Sequence, residues 1–347
     1  MSPLRESPPS GRRPTMRDVA ERARVSFKTV SRVVNEEGGV SPVLERRVRR
    51  AIEELDFRPN VGARILRRAD RRTASIGLLL EDVVNPYSAA VHRAVEDAAT
   101  PRGVVVYAAS VEEDPARERT LAKLFCARHI DGLVLAPASE DQSYLAADLR
   151  SGTAIVCVDR QAQNLPVDSV LTTNTIGATE AVRHLVTGGH RRIAFLGDRR
   201  TIVTARQRLE GYLAALDAAG LPMDPSLVVP DLHEATAADG AVTALLGRAD
   251  PPTALFTAQN LITIGAVRAL RRLGREHAVA LVGFDDFVLA DLLSPGVTVV
   301  AQDVAEIGRT VAERLFARIG GDAGPPETRL VPTRLLRRGS GEIPPPR

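Results

Sequence analysis

The sequence contains no tryptophan, and its eight phenylalanines and four tyrosines make up only 3% of 347 residues, so few flat rings are available to stack on a ligand. Two cysteines, Cys126 and Cys157, exclude a disulfide scaffold and a four-cysteine zinc site, and fit a reducing compartment. No apolar run approaches the roughly 20 residues of a membrane-spanning helix. The polar start, Met1 to Arg17, holds four prolines and four arginines and no apolar stretch, so it does not read as a secretory signal. A cytoplasmic chain with no membrane partner is expected. G-x-G-x-x-G, Walker A, H-E-x-x-H and G-x-S-x-G patterns are all missing. Six histidines lie scattered without ligand spacing, and the carboxylates of Asp285 and Asp286 are adjacent rather than set apart for acid–base work. The sequence therefore assigns no catalytic residue, no metal site and no cofactor, and an enzyme is not expected. Lysine is nearly absent, with only Lys28 and Lys123, which reads as the arginine bias of a GC-rich genome.

What is present is unevenly charged. Residues 1–72 carry 18 basic against 10 acidic side chains, a charge of +8, whereas the remainder carries 28 against 33, a charge of −5. A basic head on an acidic body points to a polyanion-binding module; a solvated basic tail is the alternative on charge alone. Residues 1–14 are rich in Pro, Ser and Arg and read as a disordered tail. Three short helical patterns follow. The first starts at Thr15, with Asp18 three residues on, and turns Val19, Ala20 and Ala23 to one face. Arg24-Val25 reads as a tight turn. The second starts at Ser26 and aligns Val30, Val33 and Val34. The third takes Ser41 as N-cap and Pro42 as its first residue, runs to about Phe57 with Val48, Ile52 and Leu55 inward, and stops before Pro59.

From Thr73 onward, short β-branched runs alternate with amphipathic helical stretches. The runs are Ser75–Leu80, Val104–Ala108, Leu133–Ala136, Ala154–Val158, Ile193–Leu196, Ala254–Thr257 and Val279–Phe284, with helices near 88–99 and 115–128. Continuous apolar runs of this kind suit strands buried on both faces of a parallel sheet. About 260 residues of this texture exceed one compact sheet and imply two similar lobes.

Residues 15–35 match a helix-turn-helix, with a small basic helical bundle as the alternative. On the second helix Phe27, Lys28, Ser31 and Arg32 fall opposite the valines, leaving a face free to enter a major groove. Arg32 suits a bidentate fork to guanine, Lys28 suits guanine or phosphate, and Phe27 suits a thymine methyl. Ser26, Thr29, Ser31 and Asn35 are short donors suited to phosphate oxygens.

Here residues 15–68 resemble the lactose/galactose repressor (LacI/GalR) family of bacterial transcription regulators. The matching residues are Asp18-Val19-Ala20, Val25-Ser26, Thr29 to Val33, Asn35, Val40-Ser41, Ala51-Ile52, Glu54-Leu55, Arg58-Pro59-Asn60 and Ala63 to Leu66. The resemblance continues to about Glu342. It implies a helix-turn-helix DNA-binding domain over 15–59 with Thr15 among its DNA contacts, a hinge helix and linker over 60–72, and a two-lobed α/β core over 73–340. That core is similar to periplasmic binding proteins, with parallel sheets, an N-lobe of 73–171 and 302–330, and a C-lobe of 172–301 and 331–340. By the same resemblance the hinge, including Asn60, Ala63, Arg64 and Leu66, lies in the minor groove, with Leu66 wedging a base step. A nine-residue helix containing Gly62 is too short to be helical alone and is expected to fold only on DNA or its partner hinge.

The resemblance also places an effector between the lobes, where Asp82, Asn85, Tyr87, Asp159, Arg160, Arg206, Asn260 and Asp285 match family positions. Carboxylates, amides and an arginine fork suit a polyhydroxylated ligand. Plainer readings stay open: Arg206 as a surface ion-pair former, Asn85-Pro86 as a helix start, Arg160 as a partner of Asp159, and Asp286 as a helix cap. Ser88 and Ala235 stand where relatives often carry aromatics, and Thr173-Asn174 replaces an Asp-Asn pair, which leaves a smaller, more polar or phosphorylated effector, or none, open beside a hexose. The expectation is a homodimeric regulator, most simply a repressor, binding a pseudo-palindromic double-stranded DNA operator under control of a carbohydrate or related polar metabolite. A solute-binding protein without regulatory DNA function is the alternative.

Overall fold

The computed structural model describes residues 12–35, 37–58 and 72–346. Two compact units divide between Thr73 and Ala74.

The first unit holds α1 (Met16–Ala23), α2 (Phe27–Val34) and α3 (Pro42–Glu54). Thr15 caps α1 in a reciprocal box: its hydroxyl accepts from the Asp18 amide while Asp18 accepts from the Thr15 amide at 2.6 Å. The two Thr15 groups hold the Asp18 carboxyl below its ordinary range. Arg24 takes a left-handed conformation at φ 51°, which makes the tight turn into α2. α3 begins at Pro42 behind Ser41 and ends at Glu54, three residues short of the expected end near Phe57. Val19, Val30 and Val48 are fully buried, with Ala20, Ala23, Val33, Ala51 and Phe57 around them, while Ile52 and Leu55 only flank this core. Arg47 donates to the Ala23 carbonyl at 2.7 Å and so satisfies one free end of α1. The expected hinge, with Asn60, Ala63, Arg64 and Leu66, lies outside the described residues, as does the tail before residue 12.

The second unit contains two six-stranded sheets. One lobe, here the N-lobe, orders its strands β11-β5-β4-β3-β1-β2. These are β1 (Ser75–Leu80), β2 (Val105–Ser110), β3 (Gly132–Leu135), β4 (Ala154–Val158), β5 (Asp168–Thr172) and β11 (Thr328–Val331), and every neighbouring pair is parallel. The C-lobe orders β12-β10-β9-β8-β6-β7. Its strands are β6 (Ile193–Leu196), β7 (Val228–Val229), β8 (Ala254–Thr257), β9 (Ala280–Phe284), β10 (Thr298–Ala301) and β12 (Arg334–Leu336), with β12 alone antiparallel to its neighbour. The chain passes between lobes three times, after β5, after β10 and between β11 and β12. Each lobe is therefore built from two separate stretches of the sequence.

Helices cover both sheets. In the N-lobe these are α4 (Pro86–Ala99), α5 (Pro115–Cys126), the short α6 (Ala146–Arg150) and α11 (Val304–Ile319); in the C-lobe, α7 (Asn174–Thr187), α8 (Val203–Ala218), α9 (Ala235–Leu246) and α10 (Asn260–Arg272). Inner strands such as β1 and β4 are buried along their whole length, because helices lie on both faces. β2 departs from that expectation. It is an edge strand, and Val105 and Tyr107 are 55% and 47% exposed. Helices α7 and α8 pack so closely that a Cβ on Gly211 would lie 2.4 Å from the Thr175 carbonyl oxygen, so only glycine fits there.

A buried carboxylate fixes the N-lobe edge. Asp168, at the start of β5, accepts from Arg314 and Arg318 of α11 and from the Glu327 amide before β11. It thereby ties the returning segment to the sheet.

Candidate DNA-binding face and inter-lobe cleft

On the head, α2 divides its residues by helical period. Val30 and Val33 are buried, while Phe27 is 44% exposed and Lys28 is exposed beside it. Arg32 is half-buried, and neither it nor Lys28 has an ion-pair partner among the described residues. The short polar side chains are tied to one another. Ser26 Oγ accepts from the Thr29 amide at 3.1 Å and lies 2.9 Å from Thr29 Oγ1. Two hydroxyls sharing one proton leave the other proton for an outside acceptor such as a phosphate. Asn35 donates to Ser31 Oγ at 3.2 Å and to Glu37 at 3.2 Å, so its amide is committed within the head. Thr15 is likewise engaged as the α1 cap.

In the core, parallel strands bring their carboxyl ends to one edge of each lobe, and the two edges face each other. Glu81 follows β1, Asp159 follows β4, Asp198 lies just past β6, Gln259 just past β8, Asp285 follows β9 and Gln302 follows β10. These six residues, with Asn85, Tyr87, Arg160, Thr204 and Arg208 among others, line a cleft of about 410 Å³, part of it open to solvent. Tyr87 is the one aromatic in the lining.

Two arginines anchor this cleft from opposite lobes. Arg160 donates a fork to Glu113 at 2.6 and 2.7 Å, donates to the Pro137 carbonyl at 3.0 Å, and has Asp159 at 3.3 Å. Burial opposes its charge, but Glu113 more than offsets this and raises its pKa. Arg208 donates to Asn174, to the Ala258 carbonyl and to Asp285 at 2.9, 2.8 and 3.1 Å, and its guanidinium lies 3.8 Å over the Phe284 ring. Gln302 donates to the other Asp285 oxygen at 2.5 Å. Burial nonetheless raises the Asp285 pKa, against the pull of Arg208.

The lobes touch directly. Asn260 Nδ2 donates to Asn85 Oδ1 at 2.9 Å, and the same Asn85 oxygen caps α4 by accepting from the Tyr87 amide. Beside this contact, His233 Nδ1 lies 3.0 Å from Asp198 and its Nε2 3.8 Å from Glu81 of the other lobe. Burial pushes the Glu81 carboxyl up to about 7, Glu113 and Asp198 add to this, and Arg160 and His233 oppose it. The hydrogen bond to Asp198 raises the His233 pKa against its partial burial. Four buried polar atoms of the cleft lining make no protein hydrogen bond: Tyr87 Oη, Gln259 Nε2, Gln302 Oε1 and Arg160 Nε, the last standing 3.3 Å from the Asp159 carboxylate.

The fold brings Asn85, Tyr87, Asp159, Arg160, Asn260 and Asp285 together around this space. Three sequence readings need correction. Arg206 is exposed and donates to the carbonyls of Arg200 and Thr201; the arginine in the cleft is Arg208. On α8 the inward positions are Thr204, Ala205, Arg208, Gly211, Tyr212 and Ala215, a helical repeat that Arg206 does not share. That periodicity was the available signal. Asp82 also lies apart from the lining and instead caps its own turn, accepting from the Val84 amide at 3.0 Å, while the preceding Glu81 lines the cleft. Asp286 is not a helix cap but a fork partner of Arg338 at 2.7 Å. Glu81, Asp198, Gln259 and Gln302 were missed, and nothing in their spacing marks them. Histidines scattered along the sequence suggested no metal site; the fold places one of them with two carboxylates.

Comparison with known proteins fits this architecture. Residues 15–60 match the model of bacterial regulatory proteins of the lacI family, and residues 182–341 match a periplasmic binding protein-like domain. The HTH-type transcriptional regulator PtxS of Pseudomonas aeruginosa (strain PAO1) is 34% identical, over 96% of this chain and 97% of its own. The chain belongs to the LacI family. A LacI-family chain with this head is a DNA-binding transcriptional regulator. Among solved structures, a complex of the regulator CelR with cellobiose is 32% identical, covers 95% of this chain and 100% of its own, and superposes with a TM-score of 0.69. The lac repressor dimer bound to operator and the anti-inducer ONPF is 26% identical, covers 95% and 99%, and gives a TM-score of 0.80. No helix among the described residues is long and apolar enough to cross a membrane.

Proposed function

We propose that this LacI-family chain is a repressor that acts as a homodimer in the cytoplasm, binds a pseudo-palindromic operator, and answers to a neutral polyhydroxylated effector in the inter-lobe cleft. It has no enzymatic role in this reading. The observation that carries the ligand class is the commitment of both cleft arginines. Arg160 is forked to Glu113 and Arg208 is held by Asp285 and Asn174, so among the described lining residues a phosphorylated ligand meets no arginine free of a carboxylate. Unpartnered Tyr87 Oη, Gln259 Nε2 and Gln302 Oε1 instead offer the mixed donors and acceptors that hydroxyls satisfy. The cellobiose complex of CelR supports the same class.

On DNA, Lys28, Arg32 and Phe27 read bases in the major groove, the free Ser26–Thr29 proton meets phosphate, and the segment with Asn60, Ala63, Arg64 and Leu66 enters the minor groove. The uncovered Val105 and Tyr107 on the N-lobe edge support a subunit contact there. Effector binding shifts the closure of the lobes and, through the dimer, the set of the two heads.

The test begins with selection of bound duplexes from a random pool at stated salt. A palindrome with a pyrimidine–purine step at its centre is expected, and the absence of any enrichment with or without pooled metabolites would sink the reading. Neutral sugars and their phosphates are then screened for release or retention of that operator. A response to phosphates alone would overturn the ligand class.

A further inference from the structure

One cluster in the cleft is built from both lobes and has no role in the ligand reading above. Glu81 leaves the end of β1 in the N-lobe, whereas Asp198, just past β6, and His233, just before α9, belong to the C-lobe. One donor atom from each lies within 4.8 Å of the other two. Asp198 is already 3.0 Å from His233 Nδ1, the ring nitrogen that would take an ion shared with it, while Glu81 faces the other nitrogen, Nε2. The Glu81 side chain is only 20% exposed, yet no described residue donates a hydrogen bond to its carboxylate, and its single ion-pair partner is His233 at 3.8 Å. A carboxylate so placed lacks compensation for its lost water.

We propose that Glu81, Asp198 and His233 form a site for a divalent transition-metal ion of the zinc class, which binds across the cleft and holds the two lobes together. One imidazole nitrogen and two carboxylates are the borderline donors that such ions take, and a three-ligand set leaves an open position toward the cleft. With a neutral imidazole the set carries two negative charges, which a divalent ion balances. Donors about 2.0–2.2 Å from a common ion stand roughly 3–3.5 Å apart, so from within 4.8 Å the Glu81 side chain has up to about 2 Å to move. Because the ligands come from both lobes, the ion binds the closed form in preference to the open one, and its binding is coupled to closure. The histidine separates this site from a mere acidic pair: oxygen-only sites favour Mg²⁺ or Ca²⁺, and imidazole shifts the preference to zinc.

The full-length, tag-free protein, stripped with chelator, is titrated by calorimetry with Zn²⁺ and separately with Mg²⁺, and with Co²⁺ followed by its visible absorption. One equivalent of Zn²⁺ per chain is expected, with a Co²⁺ band and much weaker Mg²⁺ binding. Glu81→Gln, Asp198→Asn and His233→Ala should each weaken Zn²⁺ by about tenfold or more, a loss that even an outer-sphere partner can produce. Circular dichroism checks that each variant is folded, and the near-isosteric Glu81→Gln carries the test if His233→Ala does not fold. Absence of Zn²⁺ uptake, or Zn²⁺ affinity unchanged in both Glu81→Gln and His233→Ala, overturns the site. This readout is independent of operator release, so a failed sugar screen leaves it standing, and its own failure leaves the effector reading intact.

Discussion

Arg206 and Arg208 sit two residues apart on one helix and have opposite fates. The helical period turns one to solvent and the other onto Phe284 and Asp285, in the floor of the cleft. Arg208→Ala strips the Asp285 carboxylate of its charged partner in a buried place and is expected to destabilise the core by about 3–5 kcal/mol. Arg206→Ala removes only two exposed bonds to carbonyls, and its effect should stay within about 0.5 kcal/mol. Denaturant unfolding of the two variants side by side checks the pair. On the head, Arg32→Ala should cost about 1–3 kcal/mol of operator affinity and relax selection at one base position. Uniform weakening across all sequences would instead make Arg32 a phosphate contact.

Single elements are held by buried polar residues that no periodic pattern reveals. Asp168 joins β5 to α11 and the approach to β11, and Asp168→Ala leaves Arg314 and Arg318 facing each other without a shared anion. A loss of about 3–5 kcal/mol follows, read as a lowered denaturant midpoint. His190, before β6, is fully buried between the Thr253 hydroxyl at 2.9 Å and the Ile343 carbonyl at 2.8 Å. A carbonyl can only accept, so the ring carries a proton on Nε2, and in its neutral form Nδ1 accepts from the Thr253 hydroxyl. Burial lowers its pKa below the usual 6.5, against the pull of the Ile343 carbonyl. The unfolded chain therefore binds a proton there before the folded one does. His190 stability is complete above about pH 6.5 and declines as pH falls from there toward the depressed folded pKa. Thermal unfolding between pH 5 and 7.5 should show that decline, and His190→Gln should flatten it.

For the whole molecule, the lobes meet at the buried Asn85–Asn260 hydrogen bond and at the His233–Glu81 pair. A neutral hydrogen bond contributes about 0.5–1.5 kcal/mol, enough to change a closure equilibrium by roughly twofold to tenfold. Asn260→Ala should shift the population toward open lobes without unfolding them. Small-angle scattering would register this as a larger radius of gyration, and an unchanged radius would count against the contact as a closure element.

The limits of reading such a chain follow from the range of the forces involved. Helix caps, turns and side-chain periods act over one to seven residues. Thr15, Ser26, Ser41 and the strand at 75–80 were therefore legible, and so was the division of α2 into a valine face and a Phe27–Lys28 face. Strand exposure was less so: Val105 and Tyr107 look like core until the sheet order makes β2 an edge. The cleft was legible only through resemblance, and there imperfectly, since matching motifs by count favoured Arg206 over Arg208 and Asp82 over Glu81.

The sequence by itself determined the helix-turn-helix head, the alternating βα texture of the body and the family, because each is written in neighbouring residues. Only the tertiary structure decided which arginine enters the cleft, that both cleft arginines are already paired, and that Glu81, Asp198 and His233 meet across it. Those residues lie more than a hundred positions apart at the extremes, and parallel strands bring them together because their carboxyl ends share one edge. No local pattern encodes that meeting; it appears when three chain crossings set the two sheets face to face.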